Sequence, residues 1–189
     1  MRKIYFVRHG QTELNMDDRM QGWCDSPLTE KGEKQAAFVK GYFKENEITF
    51  DHAFCSDSGR AVQTIELITD MDYEVTSNLR EISLGDLEGK SERFSCQDLS
   101  DEEFYKRHGG ESFNDVGTRI SEVMEQIALS AWENTLIVAH GGSCLYYLGS
   151  LGYPMDEYRY RLTNACIAVF DINDDGNAVL SEIIQNKIQ

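Results

Sequence analysis

Only two prolines occur in the 189 residues, and no low-complexity linker separates one part of the chain from another. One domain spanning residues 1–189 is the expectation. No apolar run approaches the roughly 20 residues that a membrane-crossing helix needs. The first ten residues hold one short apolar stretch, 4–7, without the design of a cleavable signal. Basic side chains are scarce: 18 Lys and Arg stand against 33 Asp and Glu, for a formal net charge of −15. So acidic a chain is repelled by nucleic acid and by anionic membrane surfaces, and neither is expected as a partner. Any anionic ligand must be held by local cations working against the overall field. The five cysteines, at 24, 55, 96, 144 and 166, are scattered, with no CxxC pair and no Cys/His ligand spacing. They predict free thiols and a cytoplasmic location rather than a disulfide framework or a zinc site.

The chain does hold a core. Hydrophobic residues make up 41% and aromatics 11%, enough to fold around. Residues 3–7 (KIYFV) read as a buried strand ending in Arg8-His9-Gly10. Residues 11–28 are polar and irregular, with a turn at Asp25-Ser26-Pro27; Thr29 then caps a helix running to about residue 45. A second strand, 51–55, leads into Ser56-Asp57-Ser58 and a helix through 69, followed by a weaker strand at 74–75. Residues 79–111 are polar and carry Gly85, Gly89, Gly109 and Gly110, with one short helix expected near 101–106. From Ser112, apolar residues at 113, 116, 120, 123, 124 and 127 mark an amphipathic helix, and Ser112 with Asp115 forms a capping box. Strand 135–139 ends in His140-Gly141-Gly142, a helix spans 143–151, and 165–172 with 178–184 form a β-hairpin. Strands alternating with helices predict an α/β fold, a sheet covered by helices on both faces.

Three polar clusters follow buried strands: Arg8-His9-Gly10, Ser56 to Arg60, and His140-Gly141-Gly142. Ligands of open α/β sheets bind outside the carboxyl ends of the strands. If these strands are parallel neighbours, Arg8, His9, Arg60 and His140 meet in one crevice, beside helix N-termini whose free N–H groups favour an anion. Two guanidiniums and two imidazoles make a pocket of phosphate size and sign. His52 and His108 end no such motif and read as structural, and Arg2, Arg19 and Arg119 read as solvated surface charges.

These residues carry a resemblance. Arg8-His9-Gly10-Gln11-Thr12 with Asn15 resembles the RHGxTxxN signature of the histidine phosphatase superfamily, also called phosphoglycerate mutase-like. Gln21-Gly22 with Asp25, Pro27-Leu28-Thr29 and Gly32, then Ser56-Asp57-Ser58 with Arg60-Ala61 and Thr64, are similar to the segments that follow. Leu79, Glu81, Gly85 and Glu88-Gly89 are similar to the acid-bearing loop, and Gly109-Gly110-Glu111-Ser112 and Val138-Ala139-His140-Gly141-Gly142 complete the order. A series of six linked motifs is far more specific than the first alone. The resemblance implies a three-layer α/β/α sandwich with a mostly parallel central sheet, phosphoglycerate mutase-like.

It also implies roles. His9 attacks phosphorus and becomes phosphohistidine. Arg8, Arg60 and a protonated His140 bind the non-bridging oxygens, Asn15 and Gln21 add hydrogen bonds at the rim, and Gly141 belongs to the substrate-binding set. Glu81 matches the general acid, with Glu88 of the same loop as its rival and otherwise a loop-stabilising carboxylate. Neutralising charge on the equatorial oxygens is the main requirement of phosphoryl transfer, and these cations meet it with no metal and no cofactor. The segment around 90–111 is expected to form a lid. From 90 to 115 it holds four basic and seven acidic residues, a poor cradle for a bisphosphorylated sugar acid. Phe94, Phe104, Tyr105 and Phe113 offer it an apolar face toward substrate, although Phe113 fits the helical stripe better. The expectation is therefore a metal-independent phosphatase of the shorter bacterial branch, acting on a small phosphomonoester. Phosphoglycerate mutase-type transfer and phosphoprotein dephosphorylation are the alternatives; a metal-dependent hydrolase using His9, His140 and Asp57, or a binding module without turnover, ranks lower. The oligomeric state is open, and the terminal hairpin could extend the sheet or pair with another subunit.

Overall fold

In the computed structural model, which describes residues 2–188, the most apolar segments become the interior strands. β1 (Arg2–Arg8) holds four consecutive buried residues, as a strand covered on both faces must. β2 (His52–Ser56) and β4 (Asn134–Ala139) are built alike, whereas β3 (Glu74–Thr76) is short and exposed at the sheet margin. β5 (Ile167–Ile172) and β6 (Ala178–Ile184) form the expected hairpin.

The six strands lie in the order β3-β2-β4-β1-β5-β6. β1 pairs parallel with β4, and β2 pairs parallel with both β3 and β4. β5 runs antiparallel to β1 and β6. The sheet is thus mixed: a parallel part of four strands, extended at the β1 side by the hairpin.

Period-2 alternation sends neighbouring side chains into different layers. Ile4, Phe6, Phe54, Ile137 and Phe170 pack with α4 (Phe113–Leu129) and α5 (Gly141–Ser150). Tyr5, Val7, Cys55, Leu136 and Val138 pack with α2 (Glu30–Glu45) and α3 (Gly59–Ile68). That division is the three-layer arrangement the sequence predicts. The helix starts are written locally: the Thr29 hydroxyl accepts the Gly32 N–H, and Ser112 and Asp115 form a reciprocal capping box.

Four local readings differ. α1 (Glu13–Met16) and α6 (Met155–Tyr158) are single turns too short to show a periodic signal. Residues 101–106 form turns ending in a 3₁₀ turn at Lys106–His108, because Gly109 adopts φ 80° and stops any helix there. α5 starts at Gly141, two residues before the expected point, with His140 as its N-cap. The lid segment is stitched down: Cys96, Leu99 and Tyr105 are buried, and the Tyr105 hydroxyl accepts the Cys96 N–H at 3.0 Å.

Candidate active site

Parallel pairing aligns the carboxyl ends of β1, β4 and β2. Arg8 is level with Ala139, and Cys55 with Val138. His9, His140 and Ser56 therefore emerge on one edge, and the His9 and His140 rings lie 5.2 Å apart. The main chain at His9 is fixed on both sides: its N–H donates to the Ala139 carbonyl and its carbonyl accepts the Ala165 N–H. Gly10 follows because a Cβ there would lie 2.5 Å from the Gly32 carbonyl oxygen.

The His9 ring is buried, 3% exposed. Its Nδ1 lies 2.8 Å from the Gly10 carbonyl oxygen, which can only accept, so Nδ1 carries the proton. Nε2 then keeps a lone pair, and Arg60 Nε donates toward it at 3.3 Å. Burial, with Arg60 and Arg8 close by, holds the imidazole well below its usual pKa. The result is a neutral, oriented ring nitrogen among cations.

Arg60, in the first turn of α3, is fully buried. Its Nη1 donates to Asp25 Oδ1 at 2.8 Å and to the Cys24 carbonyl at 3.0 Å, and its Nη2 to the Gly22 carbonyl at 2.8 Å. The loop after α1 thus aims the guanidinium at His9. Asp25, which the sequence marks as a turn residue and as part of a similar segment without giving it a role, is its counter-ion. Arg8 is half-buried: Nη1 donates to the Leu162 carbonyl at 2.6 Å, while Nε has no partner among the described residues.

His140 is fully buried, with Nε2 2.8 Å from Ser56 Oγ and Nδ1 without a partner among the described residues. Burial and the nearby Arg60 and His9 hold it well below its usual pKa, so the unliganded imidazole is neutral. A phosphoryl dianion beside the ring would favour the protonated form that burial and the nearby cations disfavour.

Glu81 reaches the start of α5. One carboxylate oxygen accepts the Gly142 N–H and the other the Ile82 N–H, both at 2.9 Å. A Cβ on Gly142 would collide with that carboxylate. Glu88 instead takes the backbone N–H groups of Trp23, Cys24 and Leu84 and ties its loop to the segment below. Gln21 donates to the Thr12 hydroxyl at 2.7 Å, and Asn15 Oδ1 accepts from Asn164 at 3.1 Å.

A cavity of about 480 Å³ joins these groups. Arg8, His9, Asn15, Gln21, Arg60, Glu81 and Gly141 all line it; Glu88 and the fully buried His140 are not in the lining. The lid contributes Glu92, Ser95, Gln97 and Tyr105, but Phe94, Phe104 and Phe113 are not in the wall. Phe94 is exposed, Phe104 packs on Tyr105, and Phe113 stacks on Tyr146 with centroids 4.4 Å apart. Sequence reading missed Arg159, which lines the cavity while donating to the Cys96 carbonyl of the lid at 2.8 Å. No motif marks it. Arg19 is exposed, yet it also faces the cavity. Arg119 is no solvated charge at all, as its side chain is only 15% exposed. Asp57 gives both carboxylate oxygens to Arg80, and among the described residues no three His, Cys, Asp or Glu converge as metal ligands.

The buried neutral histidines make stability depend on pH. In the unfolded chain they titrate near pH 6.5; in the fold they titrate lower. Between those values the unfolded state binds more protons, so stability is complete above about pH 6.5 and falls as the pH drops below it. The urea midpoint is expected to decline from pH 7.5 to 5.5, at up to about 1.4 kcal/mol per pH unit per histidine. A flat profile in that window would remove the neutral-histidine assignment.

Known proteins are similar to the chain over nearly its whole length. The family model described as histidine phosphatase superfamily (branch 1) matches residues 4–184. A protein of Shigella dysenteriae named a probable phosphoglycerate mutase is 36% identical over 191 residues, covering 92% of this chain and 86% of that relative. The structure of phosphoglycerate mutase from Bacillus anthracis superposes with a TM-score of 0.80 at 28% identity, covering 95% of this chain and 91% of that one. A mycobacterial glucosyl-3-phosphoglycerate phosphatase superposes with a TM-score of 0.78 at 26% identity, covering 96% and 98%. With the sheet order, the paired histidines and the strand-end arginines already in place, the chain belongs to branch 1 of the histidine phosphatase superfamily.

Proposed function

We propose that the protein is a metal-independent phosphatase that hydrolyses a small phosphomonoester through a phosphohistidine on His9. One observation carries this reading: Nδ1 of His9 is committed to the Gly10 carbonyl, which leaves Nε2 unprotonated at the cavity, with only a long 3.3 Å hydrogen bond from Arg60 Nε on its lone pair. In the first step Nε2 attacks phosphorus, the bond to the leaving oxygen breaks, and Glu81 gives that oxygen its proton. In the second step Glu81 takes a proton from water, the water oxygen bonds to phosphorus, and the Nε2–P bond breaks. Arg8, Arg60 and the N-terminus of α5 hold the equatorial oxygens. Glu81 is preferred to Glu88 because it lines the cavity, whereas Glu88 is spent on three backbone amides.

Mutase-type transfer is the second reading. Arg19 and Arg159 favour it, since both face the cavity and neither has a carboxylate partner within 4.0 Å among the described residues. They lie outside the acidic lid segment, so its charge alone understates the cations open to a substrate. Incubation with p-nitrophenyl phosphate in EDTA, and with 3-phosphoglycerate plus 2,3-bisphosphoglycerate, separates the two. Release of inorganic phosphate in EDTA without isomerised phosphoglycerate is the expected result. Formation of 2-phosphoglycerate faster than phosphate release would establish the mutase instead, and loss of all turnover in EDTA would rule out metal-free chemistry.

A further inference from the structure

Arg119 stands in the middle of α4, away from the cavity wall, yet every one of its N–H donors is used. Nε and Nη2 donate to the two oxygens of Glu111, each at 2.9 Å. Nη1 donates to the carbonyls of Asn78 at 2.9 Å and Arg80 at 2.6 Å, and Nη2 also to the carbonyl of Glu81 at 2.9 Å. Glu111 in turn accepts the Ser83 N–H at 2.8 Å, and its own N–H donates to the Ser83 carbonyl at 3.0 Å. Both side chains are largely buried, 15% and 19% exposed.

The segment gripped in this way, 78–83, has little regular structure of its own beyond one 3₁₀ turn at Ser77–Leu79. It cannot borrow rigidity from a strand or a helix, so the main chain on either side of Glu81 is held by Arg119 and Glu111. Trp23 adds one more bond to the same carbonyl, from Nε1 at 2.9 Å. The carboxyl of Glu81 meanwhile reaches the first turn of α5. A carboxyl acting on a leaving oxygen must be placed to well under 1 Å, and a misplacement of that size costs up to about 10²-fold.

We propose that Arg119, clamped by Glu111, is a positioning residue that fixes the main chain of Glu81 and so aims its carboxyl at the leaving oxygen. The proposal rests on Glu81 being the acid of the reaction described above. It predicts a defect that depends on the leaving group, because an acid matters little when the departing oxygen is stable without a proton and much when it is not. A role in folding alone would lower turnover of all substrates alike.

The test compares kcat/KM, which runs only as far as departure of the leaving oxygen and leaves out the shared hydrolysis of the phosphohistidine, for p-nitrophenyl phosphate and phenyl phosphate, two substrates of similar shape whose phenolates differ in basicity. The ratio of the two rates is the readout. Arg119→Gln is expected to raise that ratio by about tenfold, with KM changed less than about twofold, and Glu81→Gln to raise it at least as far. A raised ratio in Glu81→Gln with a wild-type ratio in Arg119→Gln overturns the positioning role and leaves the proposed reaction standing. A wild-type ratio in Glu81→Gln overturns the acid assignment and this proposal with it. If circular dichroism shows that Arg119→Gln does not fold, Arg119→Lys, which keeps the charge and loses the fork, takes its place. An increased ratio in the lysine variant supports the role, and a wild-type ratio overturns it.

Discussion

Replacing His9 with alanine is expected to cut turnover by on the order of 10⁵-fold or more, the scale on which losing a nucleophile acts in enzymes that form covalent intermediates. The change should spare the fold. The ring's hydrogen bonds are to Gly10 and Arg60, and the backbone bonds that seat residue 9 between β4 and the start of β5 do not need the side chain. It should also spare phosphate binding, since Arg8, Arg60 and the amides of α5 remain. Inorganic phosphate is therefore expected to raise the urea midpoint of the variant about as it does for the native protein. With a ³²P-labelled phosphomonoester, rapid quenching should trap an acid-labile, base-stable label on the native chain and none on the variant. Ordinary turnover in His9→Ala would end the assignment. So would a label of the same size in the variant, because the accepting atom would then lie elsewhere, with His140 the next imidazole at 5.2 Å between ring centroids.

How far the sequence announces all this depends on what kind of interaction places each group. His9 and His140 follow strands whose four- and five-residue buried runs are obvious from composition, and parallel pairing then brings their ends together with no further instruction. Arg60 is legible for the same reason, one turn beyond β2. The capped helices α2 and α4 are legible from a single Thr or Ser and the apolar stripe behind it. Arg159 and Arg119 are different. Each is held by carbonyls from segments more than 30 residues distant, Cys96 for one and Asn78 to Glu81 for the other. Backbone carbonyls have no residue identity, so no motif records which of them an arginine will meet. Asp25 hides for a related reason: Asp-Ser-Pro is good turn chemistry, and nothing local says that the carboxylate also receives Arg60. The lid illustrates the reverse error. Its aromatics suggest a wall for substrate, but only Tyr105 lines the cavity, while Phe94 stays exposed and Phe104 packs on Tyr105, where apolar area is removed from water; Phe113 keeps to the helical stripe as expected and stacks on Tyr146.

Arg60→Ala is expected to injure stability and catalysis together, and the two losses can be read apart. The guanidinium is fully buried, and its removal strips donors from Asp25 and from the carbonyls of Cys24 and Gly22. Breaking a buried pair commonly costs 3–5 kcal/mol, and because Asp25 keeps about a third of its side chain in water it can rehydrate, so about 3 kcal/mol is expected. On the catalytic side, losing one preorganised donor to a developing anionic charge costs about 10²–10³ in kcat. Arg60 also stands against the reacting nitrogen of His9, so the upper end, about 10³, is expected. Arg60→Lys sharpens the reading. Lysine restores one positive charge but not the planar fork, and a single ammonium cannot hold Asp25, two carbonyls and a phosphoryl oxygen at once. It should recover part of the lost urea midpoint and little of the lost rate, measured at a temperature where circular dichroism shows each variant folded. A lysine variant with native kcat would mean that charge alone suffices at this position. The geometry that links Asp25, Arg60 and Nε2 of His9 would then have no part in the reaction.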